Sequence, residues 1–272
     1  MKGRMRTKKD AGQALLIIIL ILAVGLTIGL SVVSRSITDV RISQEQEESA
    51  RAFSVAEAGL ESLLVGGSLP SFEGFEVTSS TKKLGDWDSI RFPEKVKAGD
   101  TQTLWLVDHL DEDTLGTNFY QGSTINLYWG SEGQIPDANE TPALEAILYY
   151  DDNGFKTRRW ALDPNSSRVS KNKFEIAEFG YSTVDREILS FMKIIDLPAG
   201  NKYALRLKLI YNLEPQWIGV ASGGFYFPLQ GNCYQVTAQT VTSNITRKVE
   251  QCQLFKSLPD IFDYVLFSES NL

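Results

Sequence analysis

Residues 14–33 read ALLIIILILAVGLTIGLSVV, 20 positions without one charged side chain. At about 1.5 Å per helical residue the run is roughly 30 Å long, the thickness of a bilayer's hydrocarbon core. The reading is a transmembrane helix. Lys2, Arg4, Arg6, Lys8 and Lys9 crowd its short N-terminal side, and the positive-inside bias keeps that end in the cytoplasm. The remainder is then expected outside the cytoplasmic membrane, tethered by a single pass.

Composition agrees with an exported, tethered chain. The 272 residues carry 27 Lys+Arg against 34 Asp+Glu, a net charge of −7. Residues 1–12 hold five of the basic residues and one acidic residue, so the rest has 22 against 33, or −11. A domain of that charge does not hold nucleic acid through bulk electrostatics, and no basic patch stands out along the sequence. A basic leader before an apolar run also describes a secretory signal, but this run exceeds a usual h-region and no A-x-A-like site precedes Arg35. An uncleaved signal anchor is the plain alternative.

The pattern does not break after Val33. Residues 34–65 hold no proline and one glycine, Gly59. The first part, RSITDVRISQEQEES, is polar. The second carries Ala50, Phe53, Ala56, Leu60, Leu63 and Leu64 at offsets of three and four, one apolar stripe on one helical face. Membrane helix and amphipathic helix therefore read as one rod, stopped at Gly66, Gly67 and Pro70. Phe53, Leu60 and Leu63 are expected against a sheet. So long an uncapped pattern implies a membrane span, a coiled coil or an assembly element.

The string from Gly12 to Glu61, with its basic leader ending at Gly12, its apolar run beginning at Gln13 and its ARAFSVAEAGLE segment, resembles the N-terminus of type IV pilin-like proteins. The branch it is most similar to is that of minor pilins and pseudopilins with a PilX-type N-terminal domain. Phe53, Glu57 and Leu60 fall within the family's A-F-x-A-A-E-A-G-L-E pattern, from which Val55 departs. The resemblance covers roughly residues 8–65. It implies a prepilin peptidase cutting between Gly12 and Gln13, an assembly helix beginning at Gln13, and as partners other pilin subunits, an inner-membrane assembly platform and the membrane. It also implies a role in type IV pilus-like or secretion filaments, with cell adhesion among the uses of such filaments. The fifth mature position, usually Glu in major pilins, is Ile17. Without that carboxylate to meet a neighbour's buried N-terminal amine, the resemblance implies a tip or minor position rather than repetition along a shaft. The alternative is a single-pass surface domain that binds a ligand or glycan without polymerising.

From about Phe72 to Phe227 the chain reads as β-rich. In LEAILYYDDNGFKTRRWAL two aromatic-rich runs flank Asn153-Gly154, which suits a two-residue type I′ hairpin turn. Further strands are expected at Thr103 to Val107, Thr124 to Trp129, Phe174 to Phe179, Ile188 to Ile195, Tyr203 to Tyr211 and Trp217 to Ala221, as in an antiparallel sandwich or meander. The fold class is α+β: a long N-terminal helix packed on a β-rich, antiparallel extracytoplasmic domain. The parts are a leader (1–12), the transmembrane (13–33) and amphipathic (34–65) halves of the helix, a β-rich domain (66–223), and a C-terminal hairpin and tail (224–272). The tail includes the apolar run Ile261 to Phe267.

CYQVTAQTVTSNITRKVEQCQ alternates about a turn centred between Thr242 and Ser243, and Cys233 and Cys252 are equidistant from that centre. Opposed in register, they are close enough for a disulfide, the expected state for two cysteines in an exported chain. Two separate buried thiols are the alternative.

Catalytic patterns are scarce, and no enzyme activity or cofactor is expected. His109 is the sole histidine and sits in VDHLDEDT among Asp108, Asp111, Glu112 and Asp113. Zinc needs more His or Cys partners, and the acids lack calcium-loop spacing. The segment reads as a solvated acidic turn, and no metal is expected. Asp151-Asp152-Asn153-Gly154 is better used by the hairpin. Asn165 and Asn244 head N-x-S/T glycosylation triplets.

Overall fold

The structure, a computed structural model, describes residues 10–259. The start of the leader and the apolar run 261–267 lie outside the described residues. The class is α+β, a long apolar N-terminal helix with mostly antiparallel sheets. The chain divides into two compact units, Met1–Ser79 with Gln235–Val249, and Ser80–Tyr234 with Glu250–Leu272. Gly223, expected near a boundary, lies inside the second unit. The reason is that Phe227 is buried in that unit's core and the Gln230 side chain is bonded to both N–H and C=O of Trp105.

The first unit is built on α1 (Asp10–Leu64), 55 unbroken residues and so about 80 Å long. Its end is a Schellman motif. Gly66 takes φ 76°, its N–H bonds the Leu63 carbonyl at 3.0 Å, and the Gly67 N–H reaches back to the Ser62 carbonyl at 2.8 Å. Glycine fits because the left-handed residue there can carry no Cβ without cost.

The lower part of α1 packs within this unit on residues of β1 (Phe75–Leu84) and β14 (Gly231–Thr240), two strands of a sheet ordered β1-β14-β15, with β15 spanning Thr246–Leu254. Ala52, Ala56 and Leu60 are buried. A Cβ on Gly59 would stand 3.0 Å from Val236 Cγ1 and 3.8 Å from Val77 Cγ1. This corrects the expected stripe. Phe53 is 45% exposed and Leu63 only partly buried. Three small residues, Ala52, Ala56 and Gly59, set the line of closest approach. A residue about 100° further round the helix, as Phe53 is, points away from that line.

In the second unit two five-stranded sheets share one core. One is ordered β10-β11-β6-β13-β2 and the other β3-β12-β7-β8-β9. The first comprises β10 (Glu178–Val184), β11 (Glu187–Asp196), β6 (Thr124–Gly130), β13 (Trp217–Ala221) and β2 (Ser89–Arg91). The second comprises β3 (Thr101–Trp105), β12 (Asn201–Ile210), β7 (Ala143–Asp151), β8 (Phe155–Asp163) and β9 (Glu175–Ile176). Alternation supplies the interior: Ile125, Leu127 and Trp129 from β6 meet Leu144, Ala146 and Leu148 from β7 and Leu205, Leu207 and Leu209 from β12. The expected sandwich is present, antiparallel except where β9 runs parallel to β8. The strand expected at Phe174 to Phe179 divides at Ala177, which is in the core and whose N–H bonds the Asp163 carbonyl of β8 at 3.1 Å, so that β9 joins β8 in one sheet and β10 joins β11 in the other.

The β7–β8 hairpin forms, but with a different turn. Asp151 pairs with Phe155, so the connection has three residues rather than two, and Asn153 and Gly154 take φ 56° and 124° within it. The Asp151 carboxylate accepts the Gly154 N–H at 3.0 Å. That side-chain bond favours the longer connection.

The packing of α1 separates two substitutions. Leu60→Ala should destabilise the first unit by about 2–5 kcal/mol, whereas Phe53→Ala should cost less than about 1 kcal/mol. Hydrogen exchange of the full chain in detergent micelles, read at residues 235–249, distinguishes them. Equal loss of protection from the two would contradict the rotated contact line.

Candidate assembly helix and ligand groove

The large apolar side chains from Leu15 to Val33 are 49–67% exposed, and α1 is long and apolar enough to cross a membrane. Gly12 and Gln13 lie in its first turn. Of the residues expected to serve assembly, Ile17 is 58% exposed, Phe53 and Glu57 also face outward, and Leu60 is buried. Leu60 therefore holds this chain's own fold. On another side of α1 a cleft of about 510 Å³ is lined by Glu47, Ala50, Arg51 and Val55 of the helix and by Phe72 and Phe75, and Arg51 sits 5.9 Å from the Phe75 ring centre.

Cys233 and Cys252 are joined, with Cα atoms 3.9 Å apart. Thr240 and Ile245, equidistant from the same centre, are bonded through N–H and carbonyl at 3.0 Å, so the register is the expected one. Asn244 turns the chain at φ 57°, a conformation that Asn tolerates.

His109 ends β4 (Val107–His109), which turns tightly into β5 (Leu115–Phe119). Its ring stacks on Phe255 at 4.0 Å and meets Trp105 edge-on at 4.7 Å. Burial pushes its pKa below the ordinary 6.5, against the pull of Asp108 and Asp111. The acids are used locally. The Asn118 backbone N–H, followed by its side-chain amide, lowers Asp108. Asp111 accepts the Asp113 N–H, and Lys256 bonds Asp113 at 2.8 Å. The cluster is a braced turn: these acids have protein donors and His109 has an aromatic sandwich.

The Asn165 triplet is closed to modification. Asn165 is buried, its carbonyl caps α2 (Ser166–Asn172) by accepting the Arg168 N–H, and its amide bonds the Ala138 carbonyl at 3.2 Å. Asp163, fully buried, fixes the same helix by accepting from Arg168 Nε at 2.7 Å and Asn172 Nδ2 at 2.8 Å.

The outer face of the second sandwich sheet holds a groove that the sequence reading missed. Its volume is about 400 Å³, within the range of ligand sites. Trp105, Tyr149, Phe155 and Tyr203 line it, with Arg206 and Leu258 at one side. Phe155 lies 6.1 Å from Tyr149 and 6.3 Å from Tyr203 between ring centres. Arg206 bonds the Leu258 carbonyl at 2.8 Å, and Trp105 Nε1 is a buried donor with no acceptor among the described residues. Tyr149 and Phe155 are diagonal neighbours across the hairpin, since Tyr149 pairs with Thr157. That was the available signal, but it could be read only with the three-residue turn in hand.

No protein-family model matches this chain, and no curated protein matches it. Among solved structures, the crystal structure of Thermotoga maritima 1070 matches at 9% sequence identity, covering 59% of this chain and 97% of that chain. Its TM-score of 0.18 carries no argument about fold or function.

Two measurements follow from this geometry. The disulfide closes a sequence separation of 19, so replacing both cysteines with serine should destabilise the chain by about 3 kcal/mol in the chain-entropy account. Denaturant melts with and without reductant read this, and alkylation of unreduced, exported protein should modify neither cysteine. For His109 the folded pKa lies below the unfolded value of 6.5, so folding favours the neutral ring. Its contribution is whole above about pH 6.5 and declines as pH falls towards the depressed folded pKa. His109→Phe, which keeps a stacking ring on Phe255, should flatten that part of the melting-against-pH curve. An unchanged slope would show that other groups cause it.

Proposed function

We propose that this chain is a structural subunit of a type IV pilus-like or secretion filament, a minor pilin or pseudopilin rooted in the cytoplasmic membrane by a single pass with its N-terminus inside. The observation that carries the reading is the continuity of α1. One uninterrupted helix joins an apolar surface that this chain leaves exposed to a polar segment, and then to a face of Ala52, Ala56, Gly59 and Leu60 packed within its own unit. An anchor needs only the apolar third. The exposed polar segment, with its Arg41–Glu45 pair at 3.0 Å, the outward Phe53 and the cleft lined by Ala50, Arg51 and Val55 are surfaces for neighbouring helices.

In this reading Gly12 and Gln13 flank the cut made by a prepilin peptidase. Ile17 offers no carboxylate to a neighbour's N-terminal amine, so the subunit suits the end of a filament better than its shaft. The assembly platform and other pilins are its partners, and the β sandwich is the part displayed outside. No catalytic role is assigned.

The aromatic groove favours a second reading, in which the chain is a membrane-anchored surface domain that binds a ligand without polymerising. The N-terminus of protein recovered from membranes separates the two. A start at Gln13 is expected for the filament subunit, and Gly12→Leu should abolish it and leave unprocessed protein in the membrane. An intact Met1 in the wild-type protein would overturn the assembly reading in favour of the anchor.

A further inference from the structure

A second cleft in the sandwich unit, about 540 Å³, gathers charges that are scattered along the sequence. Lys82 and Lys83 come from the end of β1, Trp87 from the following turn, Arg91 from β2, and Asp185 and Arg186 from the turn between β10 and β11. Four cations face two carboxylates, because Asp86 lies beside Lys83 at 3.4 Å and Asp185 lies 3.3 Å from Lys82 and 3.9 Å from Arg91. The excess is positive on a chain whose residues beyond the leader sum to −11.

Three details make this a built site rather than a chance of surface charge. Arg91 is held in place, its guanidinium 4.2 Å over the Trp217 ring, its Nη1 donating to the Phe92 carbonyl at 3.4 Å and its Nη2 3.9 Å from Asp185. An oriented guanidinium presents a planar fork suited to a carboxylate or sulfate. The β10–β11 turn puts two charged residues, Asp185 at φ 44° and Arg186 at φ 71°, where a turn of this hand favours Asn and Gly. That backbone is costly for Arg, and such cost concentrates at binding sites. Trp87 is 63% exposed at the same cleft, a flat apolar face with a polar N–H edge.

We propose that this cleft binds a short stretch of an anionic saccharide, with Arg91 and Arg186 taking its carboxylate or sulfate groups, Lys83 adding charge, and Trp87 stacking on a sugar ring. The volume admits more than a single oxyanion. A nucleic acid fits less well, since one exposed ring offers no series of stacking platforms and the surrounding negative charge opposes a long polyanion. The inference goes beyond the assembly reading and holds whether or not Gly12 is a processing site.

The test is direct binding by the full chain in neutral detergent micelles. The probes are a labelled heparin-derived hexasaccharide, a trigalacturonate, neutral maltohexaose and a single-stranded 12-nucleotide DNA. At least one of the two anionic saccharides should bind, more weakly as salt rises, and both neutral sugar and DNA should bind at least about tenfold more weakly than that saccharide. Lys83→Gln with Arg186→Gln, both at exposed positions, should weaken saccharide binding about tenfold or more without shifting the melt, and Trp87→Ala should weaken it several-fold. Arg91→Lys tests the fork itself, with its melt followed because Arg91 also packs on Trp217. Four results would each overturn the proposal: no binding of either anionic saccharide, equal binding of maltohexaose, tighter binding of DNA, or unchanged affinity in the Lys83/Arg186 double variant.

Discussion

One constraint governs the rest of the structure: among the described residues, the side chains from Leu15 to Val33 have nothing of their own chain to lie against. Fourteen of them are large and apolar, and each leaves about half or more of its surface open. Water cannot be the medium for that surface at roughly 25 cal/mol per Å² of apolar area. A helix can enter lipid or pack on other helices because it satisfies its backbone internally, and α1 is long and apolar enough to cross a membrane.

The join between the rod and the sheet is made by smallness rather than bulk. Ala52, Ala56 and Gly59 bring the backbone of α1 close to Val77 and Val236. Close approach frees the larger Phe53 to face elsewhere. The glycine in that pattern sits inside a helix, where it costs about 1 kcal/mol against alanine. What offsets this cost is the room it leaves for a valine side chain.

Much of the fold was legible because it rests on period. The apolar run, the long helix and its glycine stop, the alternating strands and the paired cysteines all follow from spacing along the chain. What failed did so where three-dimensional contact chooses between equal readings. The stripe through Phe53 and the one through Ala52 differ by one residue, and apolar size favoured the wrong one. The Asn153-Gly154 signal located a hairpin but not its length, which the Asp151 side chain decides. The groove and the basic cleft were invisible for a different reason. Their residues come from strands far apart in sequence, and residues 82–91 meet 185–186 although β2 and β10 stand at opposite edges of their sheet. The Asn165 triplet shows the converse, a pattern legible in sequence whose asparagine is occupied in holding the start of α2.

The disulfide also sets how the chain can lengthen under tension. Cys233 and Cys252 lie 19 positions apart in sequence and 3.9 Å apart at their Cα atoms. A pull along the polypeptide crosses the bridge and bypasses the 18 residues between, which amount to about 60 Å of extended chain. Those residues include 235–249, the part of the hairpin that belongs with the helix. While the bridge is intact, stretching can strip hydrogen bonds from that segment but cannot draw it out as slack. Reduction would release the stored length, so the redox state of one bond decides the extensibility of this part of the protein.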